Sequence, residues 1–173
     1  MRLVNYRERS SGELAQKLLG DGYEPAVAAR AVARMQELGL QDNERFAIMF
    51  ARGRWRSNSM APAQITHRLR LHGVGEPAIK AALEEVFGPG GRVAPGGYDG
   101  DEEDDDEERG GGGRGGVRRE MSAWEQLVEQ ARRTVERTEG EDSHKRRAKL
   151  ARWLQYRGHG WDTVKKVMKE VGL

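Results

Sequence analysis

The chain has 173 residues, of which 36% are hydrophobic and 34% charged, with a net charge of +2 and no cysteine. Too little apolar material is present for one large core, and a chain without cysteine can build neither a disulfide framework nor a thiolate metal site, as suits a reducing compartment. No apolar run approaches the roughly 20 residues of a membrane span and no secretory signal is readable, so composition predicts an all-α, soluble, intracellular protein with small local cores.

Residues 1–9 read as the tail of a helix whose opening is truncated. Ser10 with Glu13 fits a capping box that opens a helix carrying Leu14 and Leu18, and Gly20 and Gly22 stop it. Pro25 suits the first turn of the next helix, which runs through Arg34 and Met35 to a cap at Gly39. Asp42 is the expected N-cap of a helix from Asn43 to about Arg56. Its inner face is read as Phe46, Met49, Phe50 and Gly53, with Ala47 and Ala51 small enough for close helix contact. Its outer face is read as Arg45, Arg52, Arg54 and Arg56 beside Trp55. After a turn at Ser57–Ala61, Pro62 starts a helix with Ile65 and Leu69, and Pro77 starts the Ile79–Phe87 helix that Gly88 ends.

Residues 88–116 then hold 12 of the 23 glycines and show no apolar periodicity. Such a stretch cannot offset the entropy of ordering and is expected to be a disordered linker that separates two folded parts. Ser122 with Glu125 is a second capping box, followed by Trp124, Leu127, Val128, Ala131 and Val135 at helical spacing. Thr138–Asp142 is a polar turn, Ser143 is the expected cap of a helix from His144 to about Tyr156, and Asp162 that of the last helix.

One skeleton recurs three times: Leu14, Leu18, Gly22; Ile65, Leu69, Gly73; and Leu150, Leu154, Gly158, each followed by a second amphipathic run. A pair of apolar residues one turn apart and a glycine stop describe a short helix and its end; one such unit cannot bury its own stripe, so copies must stack. The expected architecture is all-α and elongated, built from tandem three-helix repeats: 1–40, 41–88 and 120–173, with the acidic, Gly-rich linker at 89–119 before the last. Both flanking parts are basic, whereas residues 99–109 carry nine acids and one arginine. Basic surfaces favour polyanions or acidic partners, and the acidic run can compete with them.

The best candidate site is Lys145, Arg146, Arg147, Lys149 and Arg152 with Trp153 and Tyr156 interleaved. Cations that grip phosphates beside aromatics that stack on bases are the equipment of single-stranded nucleic-acid binding; the competing reading is a solvated helix face with Trp153 partly buried. Arg52, Arg54 and Arg56 with Arg68 and Arg70 form a second basic run, although positions 52, 54 and 56 cannot share one helical face. The four histidines show no metal-binding spacing, the acidic run lacks a calcium-loop plan, and glycines 110–116 follow no strand and carry no GK[ST]. Trp161 is expected to plug the gap between adjoining helices. No nucleophile with a base and no carboxylate pair stands out, so the reading is a binding protein, not an enzyme, with no cofactor or metal.

The stretches SSGELAQKLLGDG (10–22), LGLQDNERFAIMFARGR (38–54), ITHRLRLHGV (65–74) and KLARWLQYRGHGWDTVKKVMKEV (149–171) make the chain resemble the RecX family of regulatory proteins. The resemblance implies three tandem three-helix repeats that bind in the groove of a RecA recombinase filament on single-stranded DNA and inhibit its extension, ATP hydrolysis and strand exchange. It implies no catalytic residues. The expectation is a monomer, cytoplasmic or, in a eukaryote, in a plastid or mitochondrion; the alternative function is a general single-stranded nucleic-acid-binding repeat protein without recombinase specificity.

Overall fold

In the computed structural model, residues 8–95 and 121–173 are described. Among them are eight α-helices and no strand: α1 (Ser11–Gly20), α2 (Pro25–Glu37), α3 (Asn43–Asn58), α4 (Pro62–Leu71), α5 (Glu76–Phe87), α6 (Ala123–Glu136), α7 (Ser143–Tyr156) and α8 (Trp161–Glu170). The expected truncated opening helix at 1–9 and the glycine and acidic runs at 96–119 lie mostly or wholly outside the described residues. The stretch expected to be linker from 89 onward begins with a 3-10 turn at Pro89–Gly91, and Val93 packs against the core of the last unit.

Local chemistry sets the helix ends. Ser10 Oγ accepts from the Glu13 amide at 3.0 Å, and Asp42 accepts from the amides of Glu44 and Arg45. The box at Ser122 closes in both directions, Glu125 N to Ser122 Oγ and Ser122 N to Glu125 Oε2. Two caps differ from expectation. Asp142, not Ser143, caps α7, its carboxylate accepting from His144 N at 3.0 Å. Gly160 precedes α8, and Asp162 sits inside the first turn, where its charge opposes the positive end of the helix dipole.

The core of the middle unit is Phe46, Ala47, Ala51, Ile65, Leu69, Ile79 and Ala82, with Met60 and Val74. The stripe on α3 therefore runs 47, 51, 55, one residue per turn, and Met49 and Gly53 face outward. This corrects the expected inner face at Met49 and Gly53, whereas Phe46 is buried and Phe50 half-buried against the same core, as expected. Trp55, expected outside, is only 3% exposed and belongs to the core of the last unit, with Trp124, Leu127, Leu150, Leu154, Val164 and Val167. The last unit thus packs directly on the middle one despite the intervening stretch of sequence.

The two junctions between successive units share one contact. At the first, Ser10, the residue capping α1, donates from Oγ to the carbonyl of His72, the residue that ends α4. At the second, Ala61, which precedes α4, donates its amide to the carbonyl of Arg157, which ends α7, at 2.9 Å. The start of one unit's helix thereby satisfies a carbonyl left free at the end of the corresponding helix in the next. At the first junction Gly12 lies so close that a Cβ there would stand 2.5 Å from His72 O.

Candidate partner and nucleic-acid interface

Helix α7 presents a basic face. Lys145, Lys149, Arg152 and Tyr156 recur at one turn, two turns and three turns along the helix, so they form one stripe, opposite the buried Leu150 and Leu154. Tyr156 is 84% exposed. Beside the three cations a hollow of about 550 Å³ runs to Gly140, Glu141 and Asp142. Glu141 pairs with Lys149 across it. The other predicted members do not join this stripe. Arg146 is half-buried, its Nε without a partner, Trp153 is half-buried against the core beneath the Arg157 guanidinium at 4.1 Å, and Arg147 is exposed on another side of the helix.

The second basic run is dispersed by the fold. Arg70 is held in a two-pronged pair with Glu76, Nε to Oε1 at 2.5 Å and Nη2 to Oε2 at 3.0 Å, and that bond raises the proton affinity of Arg70 while lowering that of the Glu76 carboxylate. Arg68 is exposed on the same helix. Arg54 lies over the Phe50 ring at 4.9 Å, a cation–π contact that leaves it half-buried. Arg52, paired with Glu85, and Arg56 lie one turn apart and open on a cleft of about 1020 Å³ between the middle and last units. Arg92 and Lys166 line the same cleft; neither was legible as a site residue, because Arg92 stands alone in sequence, Lys166 reads with Lys165 and Lys169 as the polar side of an ordinary amphipathic helix, and the junction that assembles them joins residues about 70 apart.

Three side chains seal that junction from behind. Trp55 Nε1 donates to Gln126 Oε1 at 2.9 Å, Ser59 Oγ bonds the Gln130 side chain, and His159 Nε2 lies 2.8 Å from Ser59 O. Ser59 holds a left-handed backbone, φ 48°, and is fully buried. His159 is 5% exposed, and burial, reinforced by the nearby Arg157 charge and partly opposed by the Ser59 carbonyl, lowers its proton affinity below that of a free imidazole. The expected plug, Trp161, is instead 58% exposed at the start of α8. Its place is taken by His159, because the αL turn at Gly158 directs the next side chain inward and leaves Trp161 on the first turn of the following helix. Among the described residues no group of three or more His, Cys, Asp or Glu is placed to hold a metal, and no helix is long and apolar enough to cross a membrane.

Comparison with known proteins gives a consistent result. Family models of the first, second and third three-helix domains of RecX match residues 1–35, 42–83 and 121–168 in that order. The chain is 43% identical over 86 residues to the regulatory protein RecX of Xanthomonas axonopodis pv. citri (strain 306), covering 50% of this chain and 52% of that protein. It is 36% identical over 86 residues to the regulatory protein RecX of Halorhodospira halophila, covering 50% and 53%. The matches thus span about half the length of these curated relatives. The crystal structure of RecX from Lactobacillus salivarius superposes with a TM-score of 0.67 at 15% identity, over 98% of this chain and 89% of that one. A second crystal structure of a regulatory protein RecX gives 0.64 at 16% identity, over 96% and 66%. At such identities these two likenesses bear on the fold.

Proposed function

The chain belongs to the RecX family, its three domains matched in order along the sequence, and from that membership we propose that it binds RecA-type recombinase filaments on single-stranded DNA and inhibits them. The observation that carries this reading is the conjunction of the three-unit array with the α7 stripe, where three cations and an almost fully exposed tyrosine share one face. Lysines and an arginine supply phosphate or carboxylate contacts, and the tyrosine ring supplies a flat surface for stacking. The role is one of binding, with no catalytic step and no cofactor assigned to any residue. The cytoplasm is proposed as its place of work, where such a recombinase and its DNA would be met.

The test is ATP hydrolysis by a RecA-type recombinase on single-stranded DNA, with the protein added well below one copy per recombinase monomer. A parallel measurement of its binding to the strand alone sets the concentration at which it coats DNA. Inhibition far below that concentration is the expected result; inhibition only at coating levels would favour the general nucleic-acid-binding reading, which the exposed Tyr156 among cations also suits.

A further inference from the structure

The cleft between the middle and last units has a charge balance that its structural role does not require. Four cations reach it from three separate places: Arg52 and Arg56 from α3, Arg92 from the segment after the 3-10 turn, and Lys166 from α8. A single carboxylate, Glu85, faces them and is taken by Arg52. Among the described residues Arg56, Arg92 and Lys166 have no ion-pair partner, and all three are exposed. Three unneutralised like charges around one concavity repel one another, at a cost that an anionic ligand spanning them would relieve.

We propose that this cleft is a phosphodiester-binding site, which holds the backbone of a single nucleic-acid strand across the junction of the two units. The inference deepens the DNA-binding part of the function proposed above and rests on it. Geometry favours a strand over a small ion: the lining spans both units and about 1020 Å³, far more than one phosphate fills. Guanidinium forks match phosphate oxygens in pairs, and three of the four cations are arginine. Neither Tyr156 nor Trp161 lines the cleft, but both rings are exposed on the last unit, so a strand long enough to leave the cleft has flat surfaces on which its bases can stack, from which an acidic peptide gains little.

The experiment uses the full chain without recombinase, so its failure and that of filament regulation are separable. Binding of a fluorescein-labelled oligo(dT) is followed by anisotropy across a salt series for three proteins. These are the unaltered chain, the variant Arg56→Ala, Arg92→Ala, Lys166→Ala, and a control, Arg30→Ala, Lys80→Ala, Arg132→Ala, which loses the same charge from exposed positions outside the cleft. Each phosphate contact to a single strand contributes about 0.7 to the slope of log affinity against log salt, so the cleft variant should lose about 2 from that slope and bind about tenfold more weakly at low salt. The control should keep most of its slope. Equal losses in both variants would show that net charge alone is responsible, and an unchanged slope in the cleft variant would remove the site. Displacement of oligo(dT) by polyglutamate of matched charge as effectively as by unlabelled oligo(dT) would also overturn it, in favour of an acidic-peptide site. All the substituted side chains are exposed, and circular dichroism confirms that each variant keeps its helices.

Discussion

Protonating His159 would put a charge into a nearly sealed junction beside Arg157, against the Ser59 carbonyl and the Trp55 ring. Its proton affinity is lowered in the folded chain, so the sign of the pH effect follows. Above about pH 6.5 the imidazole is neutral whether the chain is folded or not, and the junction has its full strength. As pH falls below that value the unfolded chain takes up the proton first, and stability declines by up to about 1.4 kcal/mol per pH unit until the folded group also titrates. The melting temperature should therefore drop between pH 7 and pH 5, and the variant His159→Gln should show a smaller drop than the parent. His67, His72 and His144 are unchanged in that comparison, so parallel curves for the two proteins would show that His159 is not the group responsible. Trp55 makes the companion case. Trp55→Ala removes a buried ring and the bond to Gln126 and should cost about 3–5 kcal/mol by denaturant unfolding. Trp55→Phe keeps most of the apolar area and should cost markedly less. Equal losses would mean that packing at this position matters less than the contact to Gln126.

At the scale of helices, the repeated junction makes a demand on small residues. Gly12 approaches His72 O and Gly73 Cα too closely for a Cβ, and the obstructing atoms are backbone, which cannot swing aside like the end of a side chain. Gly12→Ala should separate the first unit from the middle one at a cost of about 1–3 kcal/mol, whereas Gly20→Ala, with nothing near its would-be Cβ, should leave stability nearly unchanged. Faster amide exchange in α1 of the Gly12 variant, with α6 to α8 protected as before, would localise the effect; similar behaviour of the two variants would count against close packing at this contact. The helices themselves were legible, because capping residues, prolines and glycine stops act within a few positions of where they stand: Ser10, Asp42, Pro62 and Ser122 open helices as read. What was not legible depends on residues distant in sequence. Trp55 among arginines reads as surface until Trp124 and Leu127 cover it, and His159 reads as incidental until Ser59 supplies its partner. The α7 stripe was half visible for the same reason: its basic composition is local, but which four of the seven predicted residues share one open face is decided by the core behind Leu150 and Leu154.

For the molecule as a whole, the balance of charge carries a prediction that belongs to no single helix. A net charge of +2 combines two basic parts with a run, Asp99–Glu108, holding nine carboxylates and no cation. The described residues that precede and follow that region, Pro95 and Met121, both line the cationic cleft. Deleting 99–108 moves the net charge from +2 to +11 by removing those nine carboxylates. A tethered anion competes with a nucleic-acid strand at an effective concentration of about millimolar, and it does so only while charges are felt over distance. The deletion should therefore raise affinity for a single strand strongly at low salt, where the screening length is about 30 Å at 0.01 M, and hardly at all at 1 M, where it is about 3 Å. Replacing the nine acids by Asn and Gln at unchanged length separates charge from length: it should reproduce the deletion. If the deletion raises affinity and the neutral replacement does not, the run acts by occupying space, and electrostatic competition is excluded. If neither changes binding at low salt, the basic faces and the acidic run act independently, and the strand meets the same surface with or without it.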